Sequence, residues 1–355
     1  MRKIWILVGV LIIAVLFSAQ RYFQGNPTKP QAGVPTHAKP TPSTAILPQR
    51  SSIFIPYWSL GNGLPAEYDR LIYFGITPSA TGIARNEVGY TNLTTFTSQV
   101  PQDVDTLLTL RMLNNELNFK VLDNRNLQRK IIEETVALAK EHGFKGVVLD
   151  LELKALPFES LMTQINTFVA DLNTAAEKEG LSLSVMQYGD TFYRVRPFNV
   201  SEIAKHSDEI MIMAYDFHKS GGSTPGPNFP LYGSETYGYD YTLMTEGFLK
   251  AVPAHKLTVV FGYFGYDWPT DEKGVAVNAG APFSYNEIAQ QYLSGCDVCT
   301  IKRDALSGET KVTYTSGDTI PHVVWFEDEV SIQKKKEFLQ SKGVTSYSYW
   351  AYSYF

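Results

Sequence analysis

The stretch FKGVVLDLELKAL, residues 144–156, holds seven aliphatic residues with Asp150 and Glu152 in their midst. Read as a strand, it presents Val147, Leu149, Leu151 and Leu153 on one apolar face. Gly146, Val148, Asp150 and Glu152 share the other, because successive side chains of a strand alternate. Charges almost never enter a protein interior without a partner or a purpose. At about 3.3 Å per residue the two carboxyls lie roughly 6–7 Å apart along the strand.

Seven further runs have strand character: 53–58, 70–76, 105–110, 181–188, 209–215, 257–264 and 346–352. Helical patterns separate several of them. NLQRKIIEETVALAKEHG (126–143) carries apolar residues at helical spacing and ends on Gly143. PFESLMTQINTFVADLNTAAEKEG (157–180) opens on Pro157 and closes on Gly180. A third pattern, 327–343, precedes the last strand and again ends in glycine. Eight strands alternating with helices over roughly 300 residues predict an α/β fold, a (β/α)8 TIM barrel. The rival, a doubly wound sheet, lacks its glycine fingerprint here. Residues 271–321 exceed a simple connection. They hold a helical stretch (284–293) and a hairpin-like TIKRDALSGETKVTYT, and predict a small α+β insertion between strands seven and eight. In such a barrel, Glu152 stands at the tip of the fourth strand, Asp150 one step deeper and Val148 in the packed interior.

The first 50 residues differ in kind. Met1-Arg2-Lys3 precedes an uncharged run, Ile4 to Ala19, flanked by Arg21. A cut after Ala19 would put Phe17 where a small residue belongs. Residues 1–22 are therefore expected to be an uncleaved membrane anchor, with the bulk of the chain extracytoplasmic; a secreted form is the alternative. Residues 23–50, rich in proline and small polar residues, read as a tether. The folded part is expected over 51–355.

A formal net charge of −5 gives no basic footprint for nucleic acid. No phosphate loop, His-Glu-x-x-His or Gly-x-Ser-x-Gly is present, and the six histidines are scattered. The two cysteines, Cys296 and Cys299, are too few for a zinc site and fit a local disulfide. Neither a metal nor a cofactor is expected. His218 and His322 read as structural.

Glycosidases generally place two carboxylates across the scissile bond. A general acid among them must hold its proton near neutral pH, and a neighbouring carboxylate and partial burial favour that. Here both acids project from one side. They suit the exceptional case in which the sugar's own 2-acetamido oxygen attacks.

At these residues the chain resembles family-18 glycoside hydrolases, the chitinase-like group. The family's fourth strand carries Asp-Gly-x-Asp-x-Asp-x-Glu, of which Asp150-Leu151-Glu152 keeps the ending while Val148 replaces an aspartate. MAYDFH (213–218), FGYFGYDW (261–268) and the closing segment with Ser331, Lys335 and Trp350 are similar to the sixth-strand, seventh-strand and terminal motifs. Pro225-Gly226-Pro227 resembles members that act on peptidoglycan, such as spore-cortex hydrolases.

The resemblance implies a glycosidase that cleaves β-1,4 bonds next to N-acetylglucosamine, in peptidoglycan or chitin-like glycans, with retention. It makes Glu152 the proton donor, Asp150 the group that orients the acetamido N–H, and Tyr215 a donor to the acetamido oxygen. Trp350 becomes the floor of the central sugar site, Asp216 a sugar-hydroxyl contact and Met213 a substrate-binding residue, and Tyr57 and Tyr266 line the cleft. Leu110-Arg111-Met112 departs from the family's third strand. Asp150 would then need another partner, with Thr109 and Ser184 as candidates. Two alternatives stand beside this reading. Asp150 and Glu152 could be a buried structural pair held by Arg111, or the chain could be a sugar-binding protein on the same fold that has lost catalysis.

Overall fold

The computed structural model describes residues 50–355 apart from 62 and 318. The expected anchor over 1–22, and the tether up to residue 49, lie outside the described residues. Eight parallel strands close a barrel. In chain order they are β1 (Arg50–Pro56), β2 (Arg70–Ile76), β3 (Asp105–Met112), β4 (Gly146–Leu151), β5 (Ser182–Tyr188), β6 (Glu209–Met213), β7 (Leu257–Gly262) and β8 (Ser346–Trp350). Each pairs with its neighbour in sequence, and β8 closes on β1.

The alternation of the β4 stretch sorts two cores. Val147, Leu149, Leu151 and Leu153 pack outward with Ile165, Phe168 and Leu172 of the helix Glu159–Lys178. Val148 packs inward with Phe54, Ile72, Leu107, Met186, Met211 and Val260. At the amino-terminal end, Arg70 closes the barrel with a bidentate pair to Glu209, at 2.7 and 2.9 Å. Burial pushes the Glu209 carboxyl up. Arg70, with the Thr258 and Ser184 hydroxyls, more than offsets this and holds it below the usual range. A satisfied ion pair thus plugs the barrel interior at this end.

Helix ends follow local chemistry. The helix Arg125–Glu141 starts where the Asn124 side chain accepts from the Asn126 and Leu127 amides. It stops before Gly143, whose φ of 75° suits glycine.

The insertion is wider than the expected 271–321. It is a five-stranded sheet built from Phe264–Pro269, Ala281–Ser284, Thr300–Arg303, Thr310–Thr315 and Pro321–Phe326. The run 257–264 therefore divides. Its first part is β7; the chain then turns at Tyr263, whose amide donates to the Trp350 carbonyl at 2.9 Å. From Phe264 it pairs antiparallel with Ala281–Ser284 and Pro321–Phe326. The expected hairpin forms between Thr300–Arg303 and Thr310–Thr315. Cys296 and Cys299 form a disulfide.

Lobe and barrel are joined by buried charge. Lys335, on the helix Glu329–Ser341, donates to Glu309 of the lobe at 2.8 Å and also pairs with Glu327. Glu309 in turn accepts from the amides of Asn228 and Phe229, at 2.6 and 2.8 Å.

Candidate active site

A cavity of about 780 Å³ opens at the carboxyl end of the barrel. It is lined by Asp150, Glu152, Met213, Tyr215, Asp216, Tyr266 and Trp350, so seven of the eight expected site residues meet in one place. The eighth, Tyr57, does not line it. Tyr57 and Trp58 sit in one turn after β1, and Trp58 reaches the cavity while Tyr57 packs beside the outer core.

The two carboxyls differ in depth as the alternation requires. Asp150 is 2% exposed, and its Oδ1 has no hydrogen-bond partner. Burial first, then the nearby Glu152 charge, pushes its carboxyl well above the usual range; Arg111 opposes both. Glu152 lies at the tip and accepts from the Tyr188 hydroxyl at 3.0 Å. Its backbone is pinned as well: its amide donates to Met112 O, and Asn118 Nδ2 reaches both Met112 O and Glu152 O at 2.7 and 2.8 Å.

Tyr188 is itself held. The Arg196 guanidinium lies 3.8 Å over its ring, and Arg196 pairs with Asp190 at 2.7 Å. Sequence reasoning passed over Tyr188. The signal was available, since Ser184, Met186 and Tyr188 share the inward face of β5 and the last of them stands at the mouth.

Tyr215 lies two residues past β6. Burial, followed by the charges of Asp150 and Glu152, raises its phenol pKa, so it enters any reaction as a neutral hydrogen-bond donor. Asp216 has φ 59°, a left-handed conformation uncommon outside glycine. Its amide donates to Asn228 Oδ1 at 2.7 Å, and its carboxylate accepts from Tyr266 at 2.7 Å. Burial nonetheless leaves the Asp216 carboxyl above its ordinary value.

The Pro225-Gly226-Pro227 segment supports this turn from behind. The Pro227 carbonyl contacts His218 Nδ1 at 2.7 Å, and a Cβ at Gly226 would sit 2.6 Å from the same ring. His218 is thus a packing element. So is His322, whose Nδ1 lies 2.9 Å from buried Asp267 in the lobe.

Trp350 rests on Phe54 and Phe74, with ring centroids at 5.6 and 4.6 Å. Its remaining face joins the cavity wall with Trp58, Phe264 and Tyr354. A fourth carboxylate, Glu287, reaches the rim, but it accepts from the Ser284 amide and hydroxyl at 2.7 Å each. Those bonds hold it ionised below the usual range, as a helix cap.

Neither expected partner of Asp150 reaches it. Thr109 and Ser184 stand in register with Val148, one layer deeper. Ser184 donates instead to Glu209, and Thr109 Oγ1 has no partner. Nor does Arg111 form a closed ion pair with Asp150. It is opposite Asp150 in the β3–β4 register, yet its Nε and Asp150 Oδ1 both lack hydrogen-bond partners. The guanidinium is stacked on rings instead, 4.4 Å from Phe74, 5.3 Å from Tyr57 and 5.9 Å from Trp58.

The sequence profile of glycosyl hydrolases family 18 matches residues 71–354. The chain belongs to that family. Among curated relatives of this family-18 chain, a cortical fragment-lytic enzyme of Bacillus subtilis is 27% identical over 67% of the chain and 53% of its own length. A class V chitinase of Arabidopsis thaliana is 24% identical over 72% of each. The chain thus spans about half the length of the Bacillus relative. Two solved structures share the fold. The class V chitinase from Nicotiana tobaccum superposes with a TM-score of 0.75 at 19% identity, covering 87% of this chain and 95% of that one. The Bacillus cereus spore cortex-lytic enzyme SleL gives 0.68 at 18%, covering 86% and 71%.

Proposed function

We propose that this family-18 chain is a retaining glycosidase that cleaves β-1,4 bonds next to N-acetylglucosamine in peptidoglycan or chitin-like glycans, with the substrate's acetamido oxygen as nucleophile. One observation carries the reading: Asp150 and Glu152 project into the cavity from one strand segment, whereas Asp216 lies past β6 bonded to Tyr266 and Glu287 caps a helix at the rim through Ser284. A conventional pair flanking the sugar is therefore lacking among the described residues. Glu152, just past the end of β4, gives its proton to the leaving oxygen. Asp150 beneath it orients the acetamido N–H and takes up the positive charge that grows on the cyclising group. Tyr215 donates to the acetamido oxygen, and Trp350 supports the sugar face. Holding nucleophile and carbon in line contributes several kcal/mol to lowering the barrier.

The relatives are consistent with this substrate class: one solved chitinase carries NAG4 and another carries (GlcNAc)3. A sugar-binding role without catalysis is not favoured, because the acid at the strand tip is present and held by Tyr188. Hydrolysis of chitin oligomers and of purified cell wall by the chain, followed by product mass, tests the proposal. Release of no glycan fragment from either would overturn it. The amino-terminal segment is proposed to anchor the enzyme outside the cytoplasmic membrane. Among the described residues no helix is long and apolar enough to cross a membrane.

A further inference from the structure

Arg111 is the one cationic side chain among the described residues lining the cavity, facing Asp150, Glu152, Asp216 and Glu287. Its place is fixed twice. The β3–β4 register sets it beside Asp150, and the rings of Phe74, Tyr57 and Trp58 hold its guanidinium. Both side chains retain an unpartnered buried atom, Nε on one and Oδ1 on the other. Below Asp150, Val148 supplies a wall with no hydrogen bond to give, and Thr109 and Ser184 stand in that same deeper layer.

We propose that Arg111 is a positioning residue for the reaction: its fixed charge beside Asp150 favours the ionised form of that carboxyl, which then faces the positive charge that develops on the substrate, a task to which Val148 contributes nothing. Burial and the Glu152 charge both drive a proton onto Asp150, whereas Arg111 favours the ionised form. The other titratable groups about Asp150 are Glu152 on its own strand, Tyr188 at the end of β5 and Tyr215 beyond β6. The two tyrosines stay neutral, so Arg111 is the only fixed positive charge in this set. The proposal rests on the substrate-assisted reading above for its catalytic consequence, but the charge coupling itself is measurable without substrate.

The test follows the carboxyl carbon of Asp150 by NMR on the full chain labelled with ¹³C-aspartate, its resonance identified by its loss in Asp150→Asn. In Arg111→Met the titration midpoint should move to higher pH, by about tenfold or more in proton affinity. Arg111→Lys should stay close to the parent. The acidic limb of kcat/KM on chitin oligomers should move in the same direction in Arg111→Met and be restored in Arg111→Lys. Should Arg111→Met not fold, Arg111→Gln reads the same midpoint. An unmoved midpoint in a folded variant overturns the proposal. So does a variant defective only on muramic-acid-containing glycans through KM, which would make Arg111 a contact for the substrate's own carboxylate. If the midpoint moves but the parent hydrolyses no acetamido glycan, the coupling stands and the proposed function fails.

Discussion

Tyr188 donates its phenol hydrogen to Glu152 Oε2 at 3.0 Å, and Arg196 lies across the same ring at 3.8 Å. The outer acid is thus aimed by a side chain from the next strand, which a salt-bridged arginine fixes in turn. Tyr188→Phe should keep the ring stack and the fold while losing the hydrogen bond. Turnover should fall by about tenfold to a hundredfold, the scale of one hydrogen bond to a charged group, with substrate affinity little changed. Unaltered kcat would mean that Glu152 needs no such support.

Glu152→Gln removes the transferable proton and little else, since glutamine can still accept from Tyr188. Turnover should drop by ~10²–10⁴-fold or more, while tryptophan fluorescence still reports oligosaccharide binding through Trp58 and Trp350. Near-parental hydrolysis would place the donor elsewhere.

The ion triad between barrel and lobe gives a stability prediction. Lys335 is fully buried with Glu309 and Glu327. Lys335→Met removes the cation that pairs with both Glu309 and Glu327 in this buried cluster and should cost about 3–5 kcal/mol in denaturant titration. A sound lobe at parental stability would show that the triad is dispensable.

Burial raises Glu327 from its ordinary 4.5 to about 8. Folded protein therefore binds a proton that unfolded chain releases across roughly that interval. The sign follows: stability from this group is fully present below about pH 4.5 and is lost as pH rises toward 8, and the elevated Asp150 carboxyl acts in the same sense. Thermal melts should show Tm falling between pH 6 and 8, with a flatter dependence in Glu327→Gln. A rising Tm in the parent, or an identical slope in the variant, would exclude this origin.

The anchor proposal predicts that full-length protein sediments with membranes, resists salt extraction, and is cut by external protease in spheroplasts. Recovery of only a soluble form beginning near Gln20 would favour secretion instead.

The strands were legible because each carries its own period. The inward row Gly146, Val148, Asp150, Glu152 follows from alternation alone, and so does its order of depth. Tertiary partnering was not legible. Thr109 and Ser184 were expected to reach Asp150, but register sets them one layer lower, and register between strands is not written in either strand by itself. Tyr57 and Trp58 are adjacent in sequence, and only the turn after β1 decides which ring faces the cavity. The lobe's width was misjudged for a related reason: FGYFGYDW reads as one apolar run, yet the chain leaves the barrel at Tyr263 and continues as a lobe strand.

The central claim is that the substrate's own acetamido group is the nucleophile, and a pair of matched substrates tests it most directly. Chitin-type oligosaccharides, and analogues bearing a hydroxyl in place of the 2-acetamido group at the cleaved sugar, should be compared for initial rate under saturating conditions. The account predicts cleavage of the first and none of the second, although the analogue still competes for the cavity. Brisk hydrolysis of the hydroxyl analogue would contradict it and require a carboxylate nucleophile that Asp150 and Glu152, on one strand, do not supply.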